Sequence, residues 1–144
     1  MIYTELTKKA MNLCFAAHKE QMDKSGVPYV FHPFHLAEQM KDENTTCVAL
    51  LHDVVEDTEY TFEDISVMGF PTEIVDALRF LTHDEEVPYM DYVRNIKSNP
   101  IAKAVKLADL NHNSDLTRFA GLDITERDMK RREKYQKAIE LLTN

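Results

Sequence analysis

The pair His52–Asp53 has the clearest chemical potential in the sequence, because it directly follows the apolar run 47–51 (CVALL). An imidazole and a carboxylate at the end of a buried segment lose hydration, and a divalent metal ion bound by both would offset that loss. The acidic residues Glu56 and Asp57 follow one helical turn later. On a continuous helix, each would lie four positions after a member of the pair and on the same face. The spacing therefore predicts metal ligands beside an acid/base pair, an arrangement suited to metal-assisted hydrolysis.

Two further residues could complete the metal site. His32 precedes Pro33 at the start of a predicted helix, where its ring can turn toward the core. Asp109 follows the largely apolar stretch 104–108 (AVKLA), and acidic residues in such surroundings are usually paired or metal-bound. Taken alone, His32 could be structural and Asp109 could simply hold a lysine. Two imidazoles and two carboxylates together favour Mn²⁺, with Fe²⁺, Mg²⁺ or Zn²⁺ as alternatives. The predicted ligands are His32, His52, Asp53 and Asp109.

Several residues near these ligands could contact a substrate. Lys106 and Asn113 lie three positions before and four positions after Asp109, so a helix would place all three on one face. Lys24 and Ser25 lie in a loop before the first predicted ligand and could contact a phosphate or a sugar. Each candidate also has a simpler interpretation, and Glu56 and Asp57 could be solvated residues at a helix end. The remaining histidines are interpreted as structural or surface residues: His18, His35, His83 and His112.

Composition limits the classes of partner. The formal net charge of −8 argues against binding to a nucleic-acid duplex or a membrane surface, but it is compatible with a local cationic site for a small nucleotide. No apolar run approaches the roughly 20 residues that span a bilayer, and no signal peptide is evident, so we expect a cytoplasmic protein. Cys14 and Cys47 lie in apolar runs without CxxC spacing and are predicted to be reduced core thiols. The oligomeric state is left open.

The apolar periodicity is helical almost throughout, and no stretch alternates as a half-buried strand would. The sequence therefore predicts an all-α fold, with residues 1–144 forming a single compact bundle of about seven to eight helices. The helix at about 45–57 is apolar on most sides and is predicted to be the centre of the domain. The predicted helices cover about 6–17, 33–40, 45–57, 61–69, 74–81, 88–96, 101–113 and 125–142.

Residues 10–116 resemble the HD-domain phosphohydrolases, in particular the hydrolase domain of Rel/SpoT-type alarmone enzymes and the stand-alone small alarmone hydrolases. The block ending in Glu56-Asp57-Thr58 is specific to this branch, whereas HD pairs in general are not. The motifs that carry the resemblance are 18–21 (HKEQ), 24–29 (KSGVPY), 32–33 (HP), 49–58 (ALLHDVVEDT) and 105–109 (VKLAD) with His112-Asn113.

The resemblance implies an HD-domain-like helical fold and a manganese ion held by the four predicted ligands. It also implies that Glu56 and Asp57 form the catalytic acidic pair and that Lys24, Ser25 and Asn113 contact the nucleotide. The implied reaction is hydrolysis of the 3′-pyrophosphate of guanosine tetra- or pentaphosphate, giving GDP or GTP and pyrophosphate. Two alternatives stay open: the same chemistry on another nucleotide, such as a nucleoside phosphate or NADPH, and a non-catalytic metal-binding regulator.

Three positions depart from the family pattern. Asp23 stands where the family usually has an arginine packed on the guanine base, Leu110 replaces an arginine and His83 replaces a lysine. A carboxylate could accept hydrogen bonds from N1–H and N2–H₂ of guanine, so one hypothesis is that Asp23 reads this base. The alternative is that Asp23 is a solvated loop residue.

Overall fold

The computed structural model describes residues 1–144 as nine α-helices and one 3₁₀ helix, without β-strands. The predicted all-α fold is confirmed. The α-helices are α1 (Glu5–His18), α2 (Phe31–Glu38), α3 (Glu43–Leu51), α4 (Val54–Asp57), α5 (Phe62–Val67), α6 (Thr72–Leu81), α7 (Tyr89–Ile96), α8 (Pro100–Asn113) and α9 (Glu126–Thr143), and the 3₁₀ helix is Leu116–Phe119.

Helix α3 lies at the centre of the structure, as its apolar sequence predicts. Its last seven residues, 45–51, are all buried, and it packs against α1, α2, α6 and α8. The Asp42 side chain caps its N-terminus by accepting a hydrogen bond from the backbone N–H of Thr45 at 2.8 Å. A helix buried on all sides has no solvent-facing polar stripe, which explains its even distribution of apolar residues.

The prediction of one continuous helix over 45–57 is wrong, because α3 ends at Leu51 and the backbone leaves the helical region at Asp53. Asp53 has φ −109° and ψ 4°, in the bridge region, and α4 begins after it. Consecutive side chains on an α-helix point about 100° apart. The break instead brings Oδ2 of Asp53 within 3.2 Å of Nε2 of His52. The pair converges on one point because the helix is interrupted there.

Helix α9 packs against α7 and against α8, the helix that carries the predicted ligand Asp109. Ala138 and Leu142 anchor it in the hydrophobic core, while most of its other side chains are exposed or half-buried. Its N-terminal half thus carries charged residues toward the end of α8. None of the helices is long and apolar enough to cross a membrane.

Both cysteines are free and fully buried, as predicted. Burial, together with the negative charge of Asp53, raises the pKa of Cys14 to about 12. Burial, together with the charge of Glu43, raises the pKa of Cys47 to about 12. Neither thiol is therefore ionised near neutral pH.

Candidate metal centre

Three helices bring His32, His52 and Asp109 to one point inside the structure. Their potential ligand atoms all lie within 4.8 Å of one another, and the three residues are only 3–6% exposed. Nε2 of His32 lies 2.9 Å and Nε2 of His52 lies 3.6 Å from Oδ1 of Asp109. Asp53, 3.2 Å from Nε2 of His52, supplies the fourth predicted ligand. The structure therefore brings all four predicted ligands together.

The environment of His52 fits a bound cation. Its Nδ1 lies 2.7 Å from the carbonyl oxygen of Ala49, so the ring donates its Nδ1–H there. In the neutral ring, Nε2 would then carry the lone pair, and this atom faces two carboxylates and has no hydrogen-bond partner. Although burial opposes the charged imidazolium, Asp53 and Asp109 raise the pKa of His52 well above its ordinary value. The site thus favours a positive charge, and its donors suit a divalent metal ion.

His112 contacts the Nδ1 side of the His32 ring, while the Nε2 side of that ring faces Asp109. The two ring planes are nearly parallel, at 7° to each other, and the Nδ1 atoms lie 2.7 Å apart. Burial, reinforced by Arg118, lowers the pKa of His112 to about 4, so its neutral ring can accept a hydrogen bond from Nδ1–H of His32. Nε2 of His32 is then left with the lone pair that a metal requires. The interpretation of His112 as a structural or surface residue missed this contact, although its position three residues after Asp109 on α8 could have suggested it.

Tyr29 holds Asp53, a contact that the sequence analysis also missed. The Tyr29 hydroxyl donates a hydrogen bond to Oδ2 of Asp53. Burial and the nearby Asp53 carboxylate raise the pKa of Tyr29 far above its usual range, so the hydroxyl keeps its proton. Tyr29 therefore fixes the orientation of Asp53 at the edge of the metal centre.

Replacing Tyr29 by phenylalanine is expected to weaken Mn²⁺ binding about 10-fold, the lower end of what loss of an outer hydrogen-bond partner costs. Isothermal titration calorimetry would measure the dissociation constant. Tyr92→Phe is the matched control, because it removes a buried hydroxyl that bonds the carbonyl oxygen of Leu81 at 2.8 Å instead. Equal Mn²⁺ affinities in the two variants would contradict the role given to Tyr29.

Lys106 and Asn113 both contact Asp109, as their spacing predicts. Nζ of Lys106 lies 3.0 Å from Oδ2 and Nδ2 of Asn113 lies 2.9 Å from Oδ1 of the carboxylate. Lys106 is only 13% exposed, packs against the ring of Tyr92 and does not line the cleft, and its contact with substrate stays a prediction. Its buried charge instead partly neutralises Asp109, whose pKa stays well below the ordinary value despite burial.

The acidic pair lies beside the metal centre on α4. Both residues are exposed, yet partial loss of hydration, followed by the charge of Asp53, raises the pKa of Asp57 to about 6. Partial loss of hydration likewise raises the pKa of Glu56, whose Oε1 accepts a hydrogen bond from the backbone N–H of His83 at 3.2 Å. Carboxyl groups with raised pKa values are suited to proton transfer near neutral pH. Their catalytic role stays a prediction.

A cleft of about 460 Å³ opens beside the metal centre. His32 and Asp57 line it, together with the predicted contacts Lys24, Ser25 and Asn113. Lys24 forms no ion pair within 4.0 Å, so its charge is available to a ligand. The cleft is also lined by residues that the sequence analysis did not single out, among them Arg118, Arg131 and Tyr135.

Asp23 lines the cleft but is not the solvated loop residue of the alternative interpretation, and its contact with the base stays a prediction. Its Oδ1 accepts hydrogen bonds from the backbone N–H and hydroxyl of Ser25 and from the backbone N–H of Val27. Its Oδ2 pairs with Arg118 at 3.0 Å, and the side chain is only 9% exposed. Asp23 is thus not a solvated loop residue, and all the protein groups that contact its two oxygens are donors. It shapes the loop and anchors an arginine.

Comparison with known proteins identifies relatives over most of the chain, although no family model matches. The chain is 36% identical over 120 residues to the guanosine-3′,5′-bis(diphosphate) 3′-pyrophosphohydrolase MESH1 of Mus musculus, covering 72% of this chain and 66% of the relative. It is 32% identical over 129 residues to the protein of the same name from Danio rerio, covering 80% and 71%. A GTP pyrophosphokinase of Streptomyces coelicolor is 34% identical over 137 residues, covering 87% of this chain but 15% of the relative.

A solved structure shares the fold with a TM-score of 0.75 and 26% sequence identity. The match covers 99% of this chain and 85% of the other, which is described as a metazoan ortholog of SpoT that hydrolyzes ppGpp. The chain therefore spans about two thirds of the metazoan pyrophosphohydrolase sequences, and only a small part of the bacterial pyrophosphokinase.

Proposed function

The chain belongs to the guanosine-3′,5′-bis(diphosphate) 3′-pyrophosphohydrolase family, and on that basis we propose that it hydrolyses the 3′-pyrophosphate of guanosine tetra- or pentaphosphate. The products would be GDP or GTP and pyrophosphate. One observation carries this proposal beyond the family name: a buried centre of two imidazoles and two carboxylates opens into a cleft with an unpaired lysine. The proposed ion is Mn²⁺, because the ligands combine borderline nitrogen and hard oxygen donors.

His32, His52, Asp53 and Asp109 would hold the ion. When bound, it would acidify a water molecule and withdraw charge from a phosphoryl oxygen. Hydrolysis joins the water oxygen to the phosphorus next to the 3′-oxygen, breaks the bond between this phosphorus and the 3′-oxygen and leaves a proton on the 3′-oxygen. One proton must be taken from water and one delivered to the leaving oxygen. We propose Glu56 and Asp57 for these two transfers, and their raised pKa values support this assignment.

The cleft supports a polyphosphate substrate through its charge. The chain as a whole carries −8, yet Lys24, Arg118 and Arg131 all line this one cleft. Arg131 is paired with Asp128 at 3.1 Å and Arg118 is paired with Asp23 at 3.0 Å, so Lys24 is the cation of the cleft without an ion-pair partner. An ammonium group that meets phosphate oxygens makes charge-assisted hydrogen bonds, which are about twice as strong as neutral ones.

A panel of nucleotides in the presence of Mn²⁺ tests the function, with released pyrophosphate and released phosphate measured separately. We expect pyrophosphate from ppGpp and pppGpp. Phosphate release from a nucleoside phosphate or from the 2′-position of NADPH would keep the chemistry but change the substrate. Metal binding without turnover of any nucleotide would instead support a regulator, although such a protein would have little need for both Glu56 and Asp57.

Replacing Lys24 by alanine is expected to raise KM for ppGpp by roughly 10-fold or more, because a hydrogen bond to a charged group contributes about 1.5–3 kcal/mol. Steady-state kinetics at saturating Mn²⁺ would measure the change, and the Mn²⁺ dissociation constant should stay the same. Lys19→Ala is the control, since Lys19 is an exposed lysine of the same segment that does not line the cleft. A KM as low as that of the control would exclude Lys24 as a phosphate contact.

Residues 1–144 are further proposed to act as one domain. A single hydrophobic cluster of 28 residues runs from Ala10 in α1 to Leu142 in α9, so the first and last helices share one core. The cleft likewise combines residues from both halves of the chain.

A further inference from the structure

A row of hydrogen bonds connects the loop at one end of the cleft with the metal centre. Oδ2 of Asp23 pairs with Nη2 of Arg118 at 3.0 Å. Nη1 of Arg118 lies 3.3 Å from Oδ1 of Asn113 and 3.0 Å from the carbonyl oxygen of His112. Nδ2 of Asn113 then donates to Oδ1 of Asp109 at 2.9 Å. Three side chains thus link the loop to a metal-ligand carboxylate.

The direction of the Asn113 carboxamide depends on both ends of this row. Its oxygen faces the donors of Arg118, and its nitrogen faces the acceptor oxygen of Asp109. If the amide were reversed, its oxygen would face a buried carboxylate and its nitrogen a guanidinium, so both contacts would become repulsive. A cationic donor at the position of Arg118 therefore selects the orientation in which Asn113 donates to the metal ligand.

Arg118 is only 18% exposed, and its terminal nitrogens already contact three protein acceptors. Three of its five N–H donors are therefore used within the protein, whereas Lys24 makes no ion pair. Asp23, with four contacts of its own, supplies the negative charge that keeps the guanidinium beside the end of α8. The arrangement suits a residue that orients other side chains more than one that contacts the substrate.

We propose that Arg118 is a positioning residue, which fixes the Asn113 carboxamide and through it the Asp109 carboxylate, while Asp23 anchors Arg118. This inference rests on the proposed function only in assuming that Asp109 binds metal. It also gives a reason for an aspartate at position 23, because this carboxylate pairs with Arg118 of the 3₁₀ helix Leu116–Phe119.

The test measures Mn²⁺ affinity directly, by calorimetry on the chain of residues 1–144. Removal of an outer partner of a metal ligand weakens binding by roughly 10- to 100-fold, so Asn113→Ala should raise the dissociation constant about 10-fold. Arg118→Gln, one bond further away, should raise it several-fold. In the double variant the dissociation constant should match that of Asn113→Ala alone, because residues that act in series are not additive. Asp23→Asn should shift the dissociation constant in the same direction by a smaller factor.

Arg132→Gln is the matched control. Arg132 also ties the end of α8 through one bond, from its Nε to the carbonyl oxygen of Ser114 at 3.1 Å, but it does not contact Asn113. It should leave the Mn²⁺ dissociation constant unchanged even if its melting temperature falls as much as that of Arg118→Gln. Equal changes in metal affinity in these two variants would overturn the proposal in favour of a merely structural role.

Kinetics on ppGpp give a second readout. A positioning role predicts that Arg118→Gln lowers kcat at fixed subsaturating Mn²⁺ while KM for the nucleotide changes less than about twofold. A raised KM with an unchanged Mn²⁺ dissociation constant would overturn the proposal and make Arg118 a substrate contact. If the unaltered protein binds Mn²⁺ without hydrolysing ppGpp, the proposed substrate fails and the affinity series still decides the role of Arg118. If it binds no Mn²⁺, both fail.

Discussion

His52→Ala is expected to abolish stoichiometric Mn²⁺ binding and, with it, measurable hydrolysis. The variant removes the lone pair of Nε2, which faces the carboxylates of Asp53 and Asp109 at 3.2 and 3.6 Å. Without this ligand the two carboxylates face each other across a small cavity, and both the affinity for the ion and the acidified water are lost. Metal content after dialysis, measured by mass spectrometry, should fall from about one ion per chain to near zero.

Asp109 gives an independent check, but the choice of substitution matters. Alanine would leave the buried Lys106 ammonium without its partner, and an uncompensated buried charge costs about 3–5 kcal/mol of stability. Asparagine keeps an oxygen for Lys106 while weakening the metal ligand. Asp109→Asn should therefore lose most of its metal and remain folded by circular dichroism, whereas Asp109→Ala should also melt at a lower temperature. Full metal content in both His52→Ala and Asp109→Asn would place the ion elsewhere.

Glu56→Gln and Asp57→Asn are expected to bind Mn²⁺ normally yet lose on the order of 10²-fold or more in kcat, the usual contribution of a positioned acid or base. Both replacements are nearly isosteric and remove only the ability to exchange a proton. In Glu56→Gln the new carboxamide oxygen can still accept the hydrogen bond from the backbone N–H of His83, so the local structure should be preserved. Initial rates of pyrophosphate release and Mn²⁺ titrations on the same samples would separate the two effects.

Glu59→Gln is the control for the acidic pair, because Glu59 is an exposed carboxylate just beyond α4. Its kcat should equal that of the unaltered protein. If Glu56→Gln and Asp57→Asn also retain that rate, the two residues are no more than solvated carboxylates at a helix end.

The candidate metal ligands could be proposed from the sequence because few physical reasons exist for a histidine and an aspartate to follow an apolar helix. Their exact geometry could not, because the helical period predicts a continuous helix through His52 and Asp53 and the observed break depends on local contacts. The side chain of His52 bonds back to Ala49, and the backbone of Asp53 takes bridge-region angles. The spacing argument thus placed Glu56 and Asp57 correctly beside the His52–Asp53 pair, although the continuous helix that it assumed is wrong.

The outer residues of the site depend on tertiary packing and had no local signal. Arg131 and Tyr135 belong to a charged helix whose sequence does not reveal which face meets the cleft. The partner of Asp23 is 95 positions away in the sequence, so its pairing with Arg118 only becomes visible in the fold. The residue type alone suggested a contact with the base, whereas the four contacts of Asp23 support the proposed role as an anchor for Arg118.

Because Cys14 and Cys47 are buried, the rate at which thiol reagents label them reports the unfolding of the surrounding helices. Thiols with pKa values of about 12 and no exposed surface react with alkylating or disulfide reagents only after the surrounding helices separate. Cys47 lies in α3, the helix that ends just before His52, so its labelling rate follows the opening of the element that carries a metal ligand. An ion bound only by the folded chain slows that labelling in proportion to its occupancy. Thiol reactivity could therefore measure metal affinity without any substrate.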